Sequence, residues 1–96
     1  MEIVQLTLGL YQTNCYIVYN PGQKRCCVID PGYEAETILD RVNGLGLTVE
    51  AILLTHGHFD HVGAVAEIAA ETDCAVYISA ADLSLPPMIT NGKLYY

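Results

Sequence analysis

The hydrophobic pattern of this chain changes its period, and the change limits the folds that the chain can adopt. From Val4 to Leu10 every second residue is apolar, a period of two that indicates a strand with one buried face. Apolar residues then recur at helical spacing over residues 35–42, and again over residues 62–69. Short apolar runs precede, separate and follow these two segments. The later part of the chain is therefore predicted to run strand, helix, strand, helix, strand.

Turn residues and apolar runs indicate where the strands lie. The runs at 15–19 and 26–29 flank Asn20-Pro21-Gly22-Gln23, and the turn chemistry of this segment predicts an antiparallel hairpin. The first helix is predicted to end at Gly44 and Gly46. The almost wholly apolar run at 49–54 is typical of a strand that is buried on both faces of a sheet.

The last quarter of the chain carries weaker signals. A strand is predicted at 75–78, and residues 79–83 are predicted to form a short helical turn. Pro86-Pro87 ends that turn, and residues 88–96 show no clear period. The sequence therefore predicts no regular element in this tail.

The composition favours one small domain that is incomplete. The 96 residues suffice for a single small core, yet 52% of them are hydrophobic and only 16% are charged. This balance is typical of a core-forming segment, so residues 1–96 are predicted to form one incomplete domain. The net charge of −7 disfavours nucleic acid and anionic lipid surfaces as partners. We find neither a signal peptide nor an apolar run of membrane-spanning length, and we expect a cytoplasmic protein.

The four cysteines are expected to stay reduced in that compartment. Cys15, Cys26 and Cys74 lie in or beside apolar runs and are predicted to be small buried residues. Cys26 and Cys27 could instead form a redox or soft-metal pair, but neighbouring strand residues point to opposite faces of a sheet. Burial is the favoured interpretation.

All three histidines of the chain fall within a six-residue segment that also holds an aspartate. His56, His58, Asp60 and His61 follow Thr55 directly. Imidazole nitrogens and a carboxylate are the ligands that zinc and similar divalent ions prefer. Alternating positions in an extended segment let the first two histidines converge on one ion, and Asp60 and His61 face a second. Asp60 alone could also be a helix N-cap, but four such coincidences in six residues favour metal binding.

The segment lies where the predicted buried strand ends and the second helix begins. Ligands in open α/β sheets bind in crevices at such strand ends. Gly57 allows a tight backbone turn between the first two candidate ligands. Location and ligand chemistry therefore both predict a metal centre here.

Thr55 to His61 matches without a gap the signature T-H-x-H-x-D-H of the metallo-β-lactamase-fold hydrolases. The chain most resembles the glyoxalase II-like (hydroxyacylglutathione hydrolase-like) branch, which shares Asn14-Cys15-Tyr16-Ile17 and the turn at 28–32. The resemblance covers nearly the whole chain. It implies an α/β (α+β) fold, namely the N-terminal half of an αββα sandwich, with a mixed β-sheet and helices on one face.

The resemblance also implies roles for individual residues. His56 and His58 would bind a first ion, and Asp60 and His61 a second; zinc is expected, while iron or manganese would also suit these ligands. Asp60 would in addition orient the attacking hydroxide. Asp30 would stand behind the ligands, although an aspartate before Pro31-Gly32 is equally well explained as a turn residue.

The further ligands of the family have no counterpart in this chain, so its metal site is predicted to be only partly encoded here. The leading hypothesis is a metal-dependent hydrolase of a small thioester or other ester. The alternative is a non-catalytic metal-binding fragment or interaction half-domain. In either case the open apolar face of the half-sheet is expected to be covered, by a C-terminal half or by another copy in a homo-oligomer.

Overall fold

The computed structural model of the protein describes residues 1–9, 13–55, 63–78 and 94–95. Its elements follow the chain order that the hydrophobic periods predict. They are β1 (Glu2–Leu8), β2 (Thr13–Tyr19), β3 (Arg25–Ile29), α1 (Ala35–Gly44), β4 (Thr48–Leu54), α2 (Gly63–Thr72), β5 (Ala75–Ile78) and β6 (Leu94–Tyr95).

The strands form one mixed sheet in the order β1-β2-β3-β4-β5-β6. The first three strands pair antiparallel, and the predicted hairpin is confirmed by the register that sets Ile17 opposite Val28. From β3 onward neighbouring strands run parallel. The two helices supply the long connections that parallel neighbours require. The predicted fold class, a mixed sheet with helices, is therefore confirmed.

Both helices cover the same face of the sheet. They contact each other, and each contacts β4. The core between them and the sheet is formed by side chains from every strand of β1 to β5. Ile17, Val28 and Ile52 are fully buried in the sheet, and Ile38 and Ile68 are fully buried on the helices. This continuous apolar layer is what holds the ends of the parallel strands in register.

The opposite face of the sheet carries several large apolar side chains that are only partly covered. Tyr16 pairs with Ile29 on this face, and both side chains remain half-buried. Ile3 is 58% exposed and Tyr77 is 41% exposed. Large apolar side chains at such exposure are unusual on a sheet face that water contacts directly. The structure thus has one packed face and one open face.

The tail differs from the sequence-based expectation. Residues 88–96 were predicted to hold no regular element, but Leu94–Tyr95 forms β6 beside β5. A two-residue strand is too short to produce a detectable hydrophobic period, and its pairing is decided by the neighbouring strand instead. The helical turn predicted at 79–83 lies outside the described residues.

The packed face predicts how the two sides of the sheet respond to truncation. Ile52→Ala removes a fully buried side chain and should lower the free energy of unfolding by about 2–5 kcal/mol. Ile3→Ala, at a position 58% exposed on the open face, should change it by no more than about 0.5 kcal/mol. Urea denaturation measures both values. Equal losses in the two variants would contradict this assignment of the core.

Candidate metal centre

Several chain connections meet at one edge of the sheet. β3 and β4 are parallel neighbours, so both of their carboxyl ends reach this edge. The register sets Leu8 opposite Thr13 and Tyr16 opposite Ile29, which places the end of β1 and the start of β2 at the same edge. The segment after β4 carries the candidate ligands. It therefore leaves the sheet among the ends of three other strands.

Asp30 joins the end of β3 to the end of β4. Its Oδ1 accepts a hydrogen bond from the backbone N–H of Thr55 at 2.8 Å, and its Oδ2 accepts one from the Thr55 hydroxyl at 2.5 Å. Its own N–H donates to the carbonyl of Leu53 at 3.0 Å. Hydrogen bonds to an ionised carboxylate are short and strong. Thr55, the residue directly before His56, is consequently fixed at both its backbone and its side chain.

The conformation of Asp30 is unusual for a residue with a side chain. Its φ of 54° lies in the left-handed region, which costs about 1–2 kcal/mol for most residues and is tolerated best by aspartate, asparagine and glycine. Pro31 and Gly32, which follow it, are buried. A strained residue persists when its surroundings hold it in place, and such residues concentrate at functional sites. Here two hydrogen bonds and a buried turn hold it.

The candidate ligands His56, His58, Asp60 and His61 all lie outside the described residues. The structure describes the elements on either side of these residues, namely β4, which ends at Leu54, and α2, which begins at Gly63. The ligand assignment therefore remains a prediction. Among residues 1–9, 13–55, 63–78 and 94–95, no group of three or more histidine, cysteine or acidic side chains could hold a metal ion.

The cysteines behave as the burial interpretation predicts. Cys15, Cys26 and Cys74 are buried and Cys27 is half-buried, and all four thiols are free. Burial, and then the nearby Asp30 carboxylate, raises the pKa of the Cys15 thiol to about 12. Burial, followed by Cys27, Cys74 and Glu50, raises the pKa of Cys26 to about 11. Thiols of raised pKa are poor nucleophiles near neutral pH, which disfavours a redox pair at Cys26 and Cys27.

A second acidic residue, Glu34, makes a comparable contact that sequence reasoning missed. Its Oε2 accepts a hydrogen bond from the N–H of Gly9 at 2.7 Å, and its Oε1 accepts one from the Thr37 hydroxyl at 3.3 Å. Its φ of 56° is also left-handed. The sequence places Glu34 on the polar side of a helical pattern, where a solvated glutamate is the ordinary expectation. No local signal predicts either its backbone conformation or its distant partner.

An open groove of about 480 Å³ lies between the first turns of the two helices. It is lined by the loop that follows β3, by the first two residues of α1 and by two residues of α2: Gly32, Tyr33, Glu34, Ala35, Glu36, Ala64 and Glu67. The groove therefore adjoins the first turn of α2. Its acidic side chains are consistent with the net charge of −7.

The fold and this edge of the sheet identify the family. Residues 8–93 match the family model of the metallo-beta-lactamase superfamily, and the chain belongs to that superfamily. The expected relation to glyoxalase II-like proteins is confirmed by a relative from Haemophilus influenzae named hydroxyacylglutathione hydrolase GloC. It is 41% identical over 68 residues, which cover 71% of this chain and 31% of that protein.

Other relatives and solved structures agree. A probable metallo-hydrolase of Bacillus subtilis, YqgX, is 40% identical over 78 residues, covering 81% of this chain and 36% of the relative. The crystal structure of the metallo-beta-lactamase BLEG-1 superposes with a TM-score of 0.77 at 40% identity, covering 83% of this chain and 38% of that chain. A protein solved in a di-iron-bound form gives 0.73 at 45% identity, with coverages of 83% and 39%. The chain thus spans about a third of the length of the relatives that it matches.

The contact between Asp30 and Thr55 predicts that substitution of either residue weakens metal binding at the candidate site. Thr55→Val keeps the branched shape but removes the hydroxyl donor, and Asp30→Gly removes both carboxylate acceptors at a left-handed position that glycine adopts freely. Each change should weaken zinc binding about 10- to 100-fold, the usual effect of losing support behind a ligand. Competition against a chelator measures it.

Two comparisons test whether the shared hydrogen bond is responsible. Thr55→Ser keeps the hydroxyl and should bind zinc nearly as tightly as the parent protein. The double variant with Asp30→Gly and Thr55→Val should be little weaker than Asp30→Gly alone, because the bond to the Thr55 hydroxyl is already lost in that single variant. Fully additive losses would contradict the assignment.

The buried Cys15 thiol predicts a loss of stability at alkaline pH. Its pKa in the folded protein is about 12 against an ordinary value of 9.0, so below pH 9 the thiol is neutral in both states. Above pH 9.0 the unfolded chain releases this proton and the folded one keeps it, which favours unfolding. The free energy of unfolding should therefore fall between about pH 9 and about pH 12, with a smaller fall in Cys15→Ala. Equal slopes in the two proteins would contradict this prediction.

Proposed function

We propose that this chain carries part of the active site of a metal-dependent hydrolase that acts on a small thioester or other ester. The observation that carries the proposal is the fixing of Thr55 by Asp30, directly before a segment with three imidazoles and a carboxylate. A fixed starting point limits the positions that the following ligands can take. Membership of the metallo-beta-lactamase superfamily supports the same interpretation.

The donor set suits zinc or a similar divalent ion. We assign His56 and His58 to a first ion and Asp60 and His61 to a second, because nitrogen and carboxylate ligands favour zinc and also accept iron or manganese. One relative, from Bacillus velezensis, is named a probable polyketide biosynthesis zinc-dependent hydrolase, and one structural neighbour was solved with two irons. These names support a metal site and leave zinc as our proposal. In the proposal Asp30 stands behind the ligands and acts on them through Thr55.

The residues of the chain have distinct tasks in the reaction. A bound zinc-like ion supplies Lewis acidity, which polarises a carbonyl oxygen and makes hydroxide available near neutral pH. Asp60 accepts a hydrogen bond from the attacking water and aims its oxygen at the carbonyl carbon. Asp30 keeps the strand end that carries these groups in position, so the geometry is set before substrate binds. Attack on the carbonyl then breaks its bond to the leaving group.

A thioester is the substrate class that we favour. Its leaving thiol has a pKa of about 8.5 and departs as a thiolate without a strong acid to protonate it. The relatives named hydroxyacylglutathione hydrolase support this class. Because the chain spans about a third of their length, we do not extend the proposal to glutathione itself. The net charge of −7 gives no support to a nucleic acid as partner. Neither described helix, at ten residues each, reaches the length of a membrane span.

The open face of the sheet bears on how the site is completed. Ile3 and Tyr77 are exposed on it, and we propose that a further segment of polypeptide covers this face and brings the remaining metal ligands. The same face supports the second candidate function, a non-catalytic half-domain that pairs with itself or another chain. Light scattering of the metal-loaded protein separates the two candidates when it is combined with an activity assay. A symmetric dimer without hydrolysis would favour the second.

The central test measures metal content and ester hydrolysis together. The complete protein, meaning this chain together with the polypeptide that completes the metal site, should hydrolyse a thioester such as an acylated small thiol. It should lose this activity with a chelator and regain it with zinc. Asp60→Asn should reduce kcat at least about 100-fold, since a positioned group of this kind typically contributes 10²–10⁴.

Asp40→Asn is the matched control, because Asp40 is an exposed aspartate of α1 and does not belong to the candidate ligand motif. It should leave both metal content and kcat within about twofold of the parent protein, as surface changes usually do. A folded, metal-loaded protein that hydrolyses no ester would overturn the proposed function. Equal effects of the two substitutions would overturn the role of Asp60.

A further inference from the structure

The loop after β3 holds a neighbouring connection on each side. Its first residue, Asp30, accepts a hydrogen bond from the N–H of Thr55, and its last, Glu34, accepts one from the N–H of Gly9. Both acidic residues have a left-handed backbone, with φ of 54° and 56°. The fixing of Thr55 belongs to the metal site described above. The fixing of Gly9 serves nothing that has been assigned so far.

The contact at Gly9 is closely fitted. Gly9 has a φ of +74°, which favours glycine, and the ring of Tyr33 lies against its Cα. A Cβ at this position would lie 2.7 Å from Cδ2 of Tyr33, closer than packed atoms approach. The carboxylate of Glu34 completes the contact from the next residue, at 2.7 Å from the Gly9 nitrogen. Three features therefore fix the end of β1 against the loop.

The contact fixes the end of β1, which is not a neighbour of β4 in the sheet. β1 and β4 are separated by β2 and β3, so three strand spacings of about 4.8 Å place them about 14 Å apart. Metal ligands lie within about 2.3 Å of the ion. The groove of about 480 Å³ that Glu34 lines, however, reaches Ala64 in the first turn of α2, so it connects the loop that fixes β1 with the helix that follows the candidate ligands. The end of β1 and this groove are thus placed to affect the binding of a substrate that reacts beside β4.

We propose that Glu34 is a positioning residue of the hydrolase, which fixes the end of β1 through the Gly9 N–H and thereby shapes the far end of the substrate cleft. This inference rests on the proposed function. It assigns Glu34 an effect on KM, whereas Asp30 affects the metal. Glu34 touches neither reacting atoms nor metal ligands in this scheme, and it acts only through Gly9.

Glu34→Gly separates positioning from stability. Glycine adopts a left-handed backbone without steric cost, so this variant removes the carboxylate while it relieves the strain at residue 34. In the complete protein it should raise KM about tenfold, the size expected when one charge-assisted hydrogen bond is lost. We expect kcat and bound zinc per protein within about twofold of the parent protein, because the support of Thr55 is unchanged. Exchange of the Gly9 amide hydrogen should become about tenfold faster, since its acceptor is gone.

Two further variants check the cause. Glu34→Gln keeps an acceptor for the Gly9 N–H and should restore KM to within about threefold of the parent value. Thr37→Val removes the hydrogen bond from the Thr37 hydroxyl to the Glu34 carboxylate and should leave KM unchanged. If Glu34→Gly does not fold, Glu34→Asp, which draws the carboxylate back by one methylene, replaces it with the same expectation.

The outcomes separate this inference from the proposed function. An active parent protein with unchanged KM in Glu34→Gly overturns the inference alone, and so does unchanged exchange at Gly9. Equal defects in Glu34→Gln and Glu34→Gly also overturn it. A metal-loaded parent protein that hydrolyses no ester overturns the proposed function, and the role of Glu34 in that reaction with it.

Discussion

The carboxylate of Asp30 binds a residue 25 positions later in the chain, and the arrangement of the candidate site depends on this interaction. Two parallel strands bring their ends to one edge but do not by themselves fix the loops that leave them. Asp30 supplies that constraint, because both of its oxygens accept hydrogen bonds from Thr55. The segment with the candidate ligands then begins from a defined point. Without this contact, nothing at the end of β4 would fix the direction in which the chain leaves the sheet toward the candidate ligands.

The packed core and the register of β3 and β4 support this interaction. The buried layer formed by Ile17, Val28, Ile52 and both helices fixes the relative heights of β3 and β4. Their parallel register sets Ile29 opposite Leu53, so Asp30 and Thr55 emerge within reach of each other. The left-handed backbone at Asp30 is stable only because this packing and the two hydrogen bonds hold it. Packing, register and local strain therefore act together on one short loop.

Much of the fold was accessible from the sequence, because burial in a sheet or a helix leaves a regular hydrophobic period. The hairpin around Pro21-Gly22 and the helix that begins at Ala35 were both predicted from such local patterns and are confirmed. β6 was missed, because two residues carry no period. Thiol burial at Cys15 was predicted correctly from the apolar run around it.

The contacts of the site were less accessible than the fold. The motif from His56 to His61 shows its ligand chemistry in the sequence itself, whereas the partners of Asp30 and Glu34 each lie 25 residues away. Asp30 was equally well explained as a turn residue, and Glu34 as a solvated helical glutamate. Such contacts depend on sheet order and loop geometry, which no local pattern encodes. Resemblance to the family suggested a role for Asp30 behind the metal ligands and gave no indication of a role for Glu34.

Diffraction at the zinc absorption edge from crystals of the zinc-loaded protein is the most direct test of the central claim. The account predicts an anomalous peak about 2.0–2.1 Å from imidazole nitrogens of His56 and His58, with the Asp30 carboxylate still bonded to Thr55. A fully loaded protein whose zinc is bound elsewhere, or whose Asp30 has released Thr55, would contradict it.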